Sequence, residues 1–166
     1  GVASFARAYA TACGLPKALV DDIALAASLH DLGKADPRFQ SMLRGGAPTF
    51  ASNTFDGLLA KSNGAQDRRA RDRARHRSGY PEGGRHELLS LKLAQSSDAV
   101  KAQAHDPDLV WHLIASHHGR CRPFAPAIED VQGCELALAD DGLSYRHAGA
   151  TGTEHIDSGV SDRFWR

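Results

Sequence analysis

The chain has 166 residues, the size of one ordinary domain and enough to bury a core. Hydrophobic residues make up 42% and charged residues 24%, which excludes wholesale disorder. No apolar run approaches the roughly 18 residues of a membrane span and no signal-peptide pattern opens the chain, so a soluble, cytoplasmic protein with no membrane partner is expected. Twenty basic and twenty acidic residues cancel to a formal net charge of +0, so any affinity for nucleic acid must be local.

Residues Val2 to Cys13 place Val2, Phe5, Ala6 and Tyr9 at helical spacing, and Gly14 with Pro16 supplies the stop, which predicts a first helix. From Asp21 an acidic first turn leads into Ile23, Ala26, Ala27 and Leu29 on one side, with Gly33 as breaker. His30 and Asp31 are therefore expected in the last turn of an apolar helix. Asp36-Pro37 opens a short helix through Phe39, Met42 and Leu43 that Gly45-Gly46 ends. Residues 47 to 62 have weak periodicity and read as loop with room for a short helix.

Gln66 to Arg77 holds Arg68, Arg69, Arg71, Arg73, Arg75 and Arg77 with almost no apolar anchor, the pattern of a basic arm or solvated helix. Arg85 to Gln95 and Asp108 to His118 read as core helices, through Leu88, Leu89 and Leu93 in the first and Leu109, Val110, Leu113 and Ile114 in the second, which has an aspartate as N-cap. Beyond Pro123 the residues alternate through Cys134 to Leu138, turn at Asp140-Asp141-Gly142, and alternate again at Leu143, Tyr145 and His147. The fold class expected is mainly α: a helical bundle over 1–126, an appended β-hairpin over 127–150, and the start of a further helix over 151–166.

The chemistry gathers where polar residues stand at the ends of apolar helices: His30 and Asp31, then His86, then His117 and His118. Imidazole nitrogen and carboxylate oxygen suit first-row transition ions such as Mn, Fe, Co, Ni and Zn, whereas an all-oxygen shell would point to Mg or Ca. Adjacent helical residues diverge by about 100°, so two neighbouring ions bridged by a carboxylate accommodate the pairs better than one, and Asp31 is the natural bridge. Such a pair of ions supports hydrolysis of phosphate esters without a protein nucleophile.

Each residue taken singly has a plainer reading: a satisfied core histidine at His30, an exposed first-turn residue at His86, C-terminal helix cations at His117 and His118. Their conjunction favours a site. His76, His105, His147 and His155 carry no such context, and His112, about 140° around the helix from His117, should point elsewhere. The cysteines, Cys13, Cys121 and Cys134, form no C-x-x-C pair and are expected as reduced thiols, two of them buried.

Three stretches, LHDLGKADPRFQ at 29–40, GGRHELLSL at 83–91 and IASHHGRCRPFAP at 114–126, resemble in order the HD nuclease domain of the prokaryotic CRISPR-associated type I interference nuclease-helicase, a branch of the HD phosphohydrolase superfamily. The residues after His118, with the closing stretch at 157–165, resemble most the subtype whose HD domain follows the helicase. The resemblance implies a single HD domain over 1–166, truncated at both ends, acting as a metal-dependent endonuclease on single-stranded DNA in antiviral defence.

It further implies that His30 and Asp31 are metal ligands with Asp31 shared, that His86, His117 and His118 hold a second ion, and that Lys34 lies near the scissile phosphate, giving catalytic roles to Asp31 and Lys34. The cofactors implied are two divalent transition ions, from Mn, Ni, Co or Fe, with Zn or Mg as further options. The partners implied are a helicase domain in the same or another chain and an RNA-guided surveillance complex. Two family pieces are missing, a histidine ahead of the first helix and an aspartate on a later one, so this chain would hold the second ion better than the first.

Nucleic-acid contacts are expected from Arg85 and Arg120, beside proposed ligands, and from Arg71, Arg73 and Arg75 of the basic arm. Phe39, Tyr80 and Phe124 are candidate stacking rings. Two other functions compete: an HD hydrolase of nucleotides or cyclic nucleotides, and a degenerate HD module that binds nucleic acid or a protein without cutting.

Overall fold

The computed structural model describes residues 1–49, 57–62, 67–119, 128–130, 133–140, 143–148, 152–154 and 160–165. It contains the helices α1 (Val2–Ala12), α2 (Lys17–Leu29), α3 (Pro37–Leu43), α4 (Arg68–Ser78), α5 (His86–Gln95), α6 (Asp98–Gln103), α7 (Pro107–Ser116) and α8 (Val160–Phe164), a 3-10 turn at Leu32–Ala35, and four short strands. None of the described helices is long and apolar enough to cross a membrane. The chain divides into two compact units: residues 1–33, 87–126 and 157–166 form the first, and residues 34–86 and 127–156 the second.

In the first unit α2 packs against both α1 and α7, and α8 against α7. Val20, Ala24, Ala26 and Leu29 of α2, Leu88, Leu91, Leu93 and Ala94 of α5, and Val110, Trp111, Ile114 and Ala115 of α7 are buried and make the core. α2 begins four residues before the expected Asp21 and turns Ala24 inward where Ile23 was expected. α1 corrects the sequence reading more strongly. Val2, Phe5 and Tyr9 are 60%, 72% and 67% exposed, while the small residues Ala3, Ala6 and Ala10 are the covered ones. Small side chains let α1 approach α2 closely, and that outweighs the larger apolar stripe.

α7 starts at Pro107 with Asp106 as its N-cap, two residues earlier than the aspartate at 108, and α3 repeats the device with Asp36 ahead of Pro37. In both, the carboxylate accepts a bond from an early backbone N–H, Leu109 at 3.1 Å and Arg38 at 2.8 Å, and proline occupies a position with no helical N–H to lose.

In the second unit α3 packs on α4. Gly46, at φ +88°, lies so close to α4 that a Cβ there would stand 2.8 Å from the Arg77 Cβ. The expected hairpin is present as β2 (Leu136–Asp140) against β3 (Leu143–His147), antiparallel with Leu138 opposite Tyr145. Leu136, Leu138 and Tyr145 are buried, so the alternation sorts one face inward as its period requires. A second antiparallel pair, β1 (Ile128–Asp130) with β4 (Gly152–Glu154), was not expected. Three residues in each strand are too few to show a period, and residues 152–154 form a strand where the start of a further helix is expected.

A buried ionic knot holds this unit. The Arg38 guanidinium bonds Asp36 (Nη2 to Oδ2, 2.8 Å) and takes Asp130 of β1 in a two-pronged contact at 2.7 and 2.9 Å. Beside it, Gln40 is fully used: its amide donates to the Lys34 and Leu59 carbonyls, and its oxygen accepts from Leu59 N and Arg44.

Candidate metal centre

The site is built from two helix ends in the first unit. α2 stops at Leu29 and α7 at Ser116, so His30 and His117 are the residues that follow each last helical turn, just past the position the sequence suggested. The two rings are held alike. His30 Nδ1 lies 2.8 Å from the Ala27 carbonyl oxygen and His117 Nδ1 lies 2.8 Å from that of Ile114, three residues back in each case. A carbonyl oxygen can only accept, so each Nδ1 carries a hydrogen and each ring turns its Nε2 outward.

Both Nε2 atoms face Asp31. His30 Nε2 lies 3.2 Å from Asp31 Oδ2 and His117 Nε2 lies 4.0 Å from Asp31 Oδ1. The imidazoles stand edge to face, with centroids 5.0 Å apart, and the His118 ring lies 4.2 Å from that of His117. Ligands of an ion bound at about 2.0–2.2 Å sit roughly 3–4 Å from one another, which is the range of these separations. With both rings neutral, two lone pairs and a carboxylate converging on one point repel unless a cation lies among them. The carbonyl dipoles at the C-terminal ends of α2 and α7 add to that preference.

A second contact joins α2 and α7 away from Asp31. Asp22, buried near the middle of α2, accepts from the backbone N–H groups of His105 and Asp106, each at 2.8 Å, where α7 begins. Asp22 thus ties the middle of α2 to the start of α7, while the ends of both helices meet at Asp31. The turn after Asp31 is fixed by fully buried Ser90 of α5, whose Oγ accepts from Gly33 N at 2.8 Å. Neither Asp22 nor Ser90 was singled out from the sequence. An aspartate in a first helical turn looks like ordinary helix-dipole chemistry, and a serine 57 residues from its partner leaves no local signal.

His30, Asp31 and His117 are 23%, 34% and 20% exposed at the side chain, so the group is reachable from solvent. His86 belongs to the second unit, opens α5, and is buried with its ring 5.2 Å from that of Phe39. Lys34, also of the second unit, donates from Nζ to the Ala60 carbonyl at 3.2 Å. His112 faces Phe164 of α8, ring centroids 6.3 Å apart, and takes no place with His117.

Of the arginines, Arg71 and Arg73 are exposed and Arg75 and Arg85 half-buried, and Arg120 lies outside the described residues. Arg75 lies 5.6 Å from the centre of the Tyr80 ring and donates to the Pro81 carbonyl. Phe39 and Tyr80 are buried against each other edge to face, which removes them as stacking rings, and Phe124 lies outside the described residues.

A family model described as "Cas3, HD domain" matches residues 3–150. The chain belongs to the HD-domain family of Cas3, a CRISPR-associated HD nuclease family. Searches of curated proteins and of solved structures give no match. Family membership agrees with the mainly helical architecture and its small antiparallel strand pairs.

Proposed function

We propose that the chain is a metal-dependent nuclease domain that hydrolyses phosphodiester bonds of single-stranded DNA in type I CRISPR interference, working with a helicase domain and an RNA-guided surveillance complex. The observation that carries this reading is the convergence of the His30 and His117 Nε2 atoms on the two oxygens of Asp31. The donor set of imidazole and carboxylate fits Mn, Ni, Co, Fe or Zn better than Mg. His30 and Asp31 would hold one ion, Asp31 would be shared, and His86, His117 and His118 would complete the second. Two such ions supply a strongly acidified water and neutralise charge on the phosphoryl oxygens.

The chain's own part is orientation. The Ala27 and Ile114 carbonyls fix which nitrogen each ring offers, Asp22 ties α2 to the start of α7, and Ser90 holds the turn that follows Asp31. Lys34 would act as a point charge toward a phosphate oxygen.

The test is cleavage of circular single-stranded DNA with Mn, Ni or Co and with chelator, alongside metal content after purification. Ion-dependent nicking that Asp31→Ala abolishes is the result expected. Equal cleavage by Asp31→Ala would sink the assignment, a protein that retains no ion would favour a non-catalytic module, and hydrolysis of cyclic nucleotides in preference to DNA would favour a small-substrate hydrolase.

A further inference from the structure

α4 has a composition that folding alone does not call for. Six arginines and one histidine stand among its 11 residues against a single acid, Asp72, in a chain whose net charge is +0. Its one buried residue is Ala74, and the half-buried Ala70 precedes it by one turn. Arg69, Arg73 and Arg77 follow one another at i,i+4, where like charges weaken a helix by a few tenths of a kcal/mol per pair.

A helix that merely covered the surface would carry acids at these positions. The structure also separates the arginines by use. Arg75 is taken up by Tyr80 and Pro81, and the Arg77 stem lies against Gly46, whereas Arg68, Arg69, Arg71 and Arg73 are exposed.

We infer that Arg68, Arg69, Arg71 and Arg73 of α4 form a binding surface for the phosphate backbone of a nucleic-acid strand, one that gives affinity without reading bases. Apart from His76 the basic residues of the helix are all arginine, whose planar fork matches phosphate oxygens better than a lysine point charge. Tyr80, the ring beneath Arg75, is buried, so it is not available for base stacking. The choice of nucleic acid as the polyanion rests on the nuclease reading above; the surface itself does not depend on the metal centre.

The experiment is the salt dependence of binding by the 166-residue chain to labelled 30-nucleotide DNA and RNA strands of mixed and homopolymer sequence, in EDTA so that no cleavage occurs. Three variants are compared: the four arginines changed to Gln, the same four changed to Lys, and a charge-matched control with Arg7, Lys17, Lys61 and Lys101 changed to Gln. Circular dichroism checks that each is folded.

Each phosphate contact contributes roughly 0.7 to the slope of log K against log salt for a single strand. The Gln variant should therefore lose roughly 2–3 units of slope and bind at least about tenfold more weakly at low salt. The Lys variant should keep most of the slope, the control should keep nearly all of it, and base composition should matter little. An unchanged slope in the Gln variant, an equal loss in the control, or binding confined to vesicles of phosphatidylserine with none to either strand would overturn the proposal. A chain that cleaves nothing under any condition, yet shows the slope loss only in the α4 variant, would refute the nuclease reading and leave this surface standing.

Discussion

Carboxylates do opposite work in the two units. In the second, Asp36 and Asp130 close on the Arg38 guanidinium, a positive charge built into the chain, and Asp36 caps α3 as well. In the first, Asp31 is met by the Nε2 atoms of two imidazoles whose hydrogens are committed to backbone carbonyls. The first arrangement is complete at folding and can do nothing further. The second is built to receive charge from outside. The difference separates structure from chemistry better than residue type does, since all three are aspartates.

The comparison predicts a double dissociation. Arg38→Met leaves Asp36, 1% exposed, without its cation and should cost about 3 kcal/mol or more of stability in a denaturant titration. Cleavage per folded molecule should stay near normal. His117→Ala should do the reverse. Losing an outer-shell partner of a metal site already costs about 10–100-fold in affinity or activity, so losing a ligand should cost about 100-fold or more in both, with a midpoint in denaturant close to that of the unchanged protein. If the two variants fail in the same way, the distinction is wrong.

Asp22→Ala strips two backbone N–H groups of their acceptor and should cost about 1–3 kcal/mol. It should also weaken metal binding measured by calorimetry, because α2 is no longer tied to the start of α7. Ser90→Ala should cost about 1 kcal/mol with a smaller loss of metal affinity.

The mildest test uses Cys134, which sits beside the knot with its sulfur 3.8 Å from Arg38 Nη2. Burial, with the negative charge of Asp36, pushes its thiol up to about 12. A raised value keeps the folded thiol neutral while an unfolded one ionises from about 9, so this contribution to stability is present below pH 9 and lost as pH rises toward 12. Iodoacetamide at pH 8.5 should label exposed Cys13 and spare Cys134, as read by peptide mass. In Arg38→Met, whose knot is opened, Cys134 should become reactive.

What was legible in the sequence was whatever is encoded locally. The Asp36-Pro37 start, the arginine run of α4, the leucines of α5 and the alternation in β2 and β3 all follow from neighbours within a few residues. The candidate site was legible to the extent that a histidine after an apolar helix is unusual, and His30, Asp31 and His117 lie together in the structure. The contacts that aim them were not: Asp22 reaches a partner 83 residues away and Ser90 one 57 residues away, and such pairings carry no periodicity. α1 misled for the complementary reason, since a helical stripe of Val2, Phe5 and Tyr9 says which residues share a face and not whether that face turns inward.

One feature of the centre bears on how it can change over generations. The atoms that orient both rings are the main-chain oxygens of Ala27 and Ile114, which any side chain at 27 or 114 would also supply. The orienting contacts therefore place no demand of their own on the side chains at 27 and 114, although Ile114 is held by its place in the core. The fragile part is the length of α2 and α7: inserting or deleting a single residue near either end would rotate a histidine by about 100° and dismantle the site while leaving every ligand in the sequence.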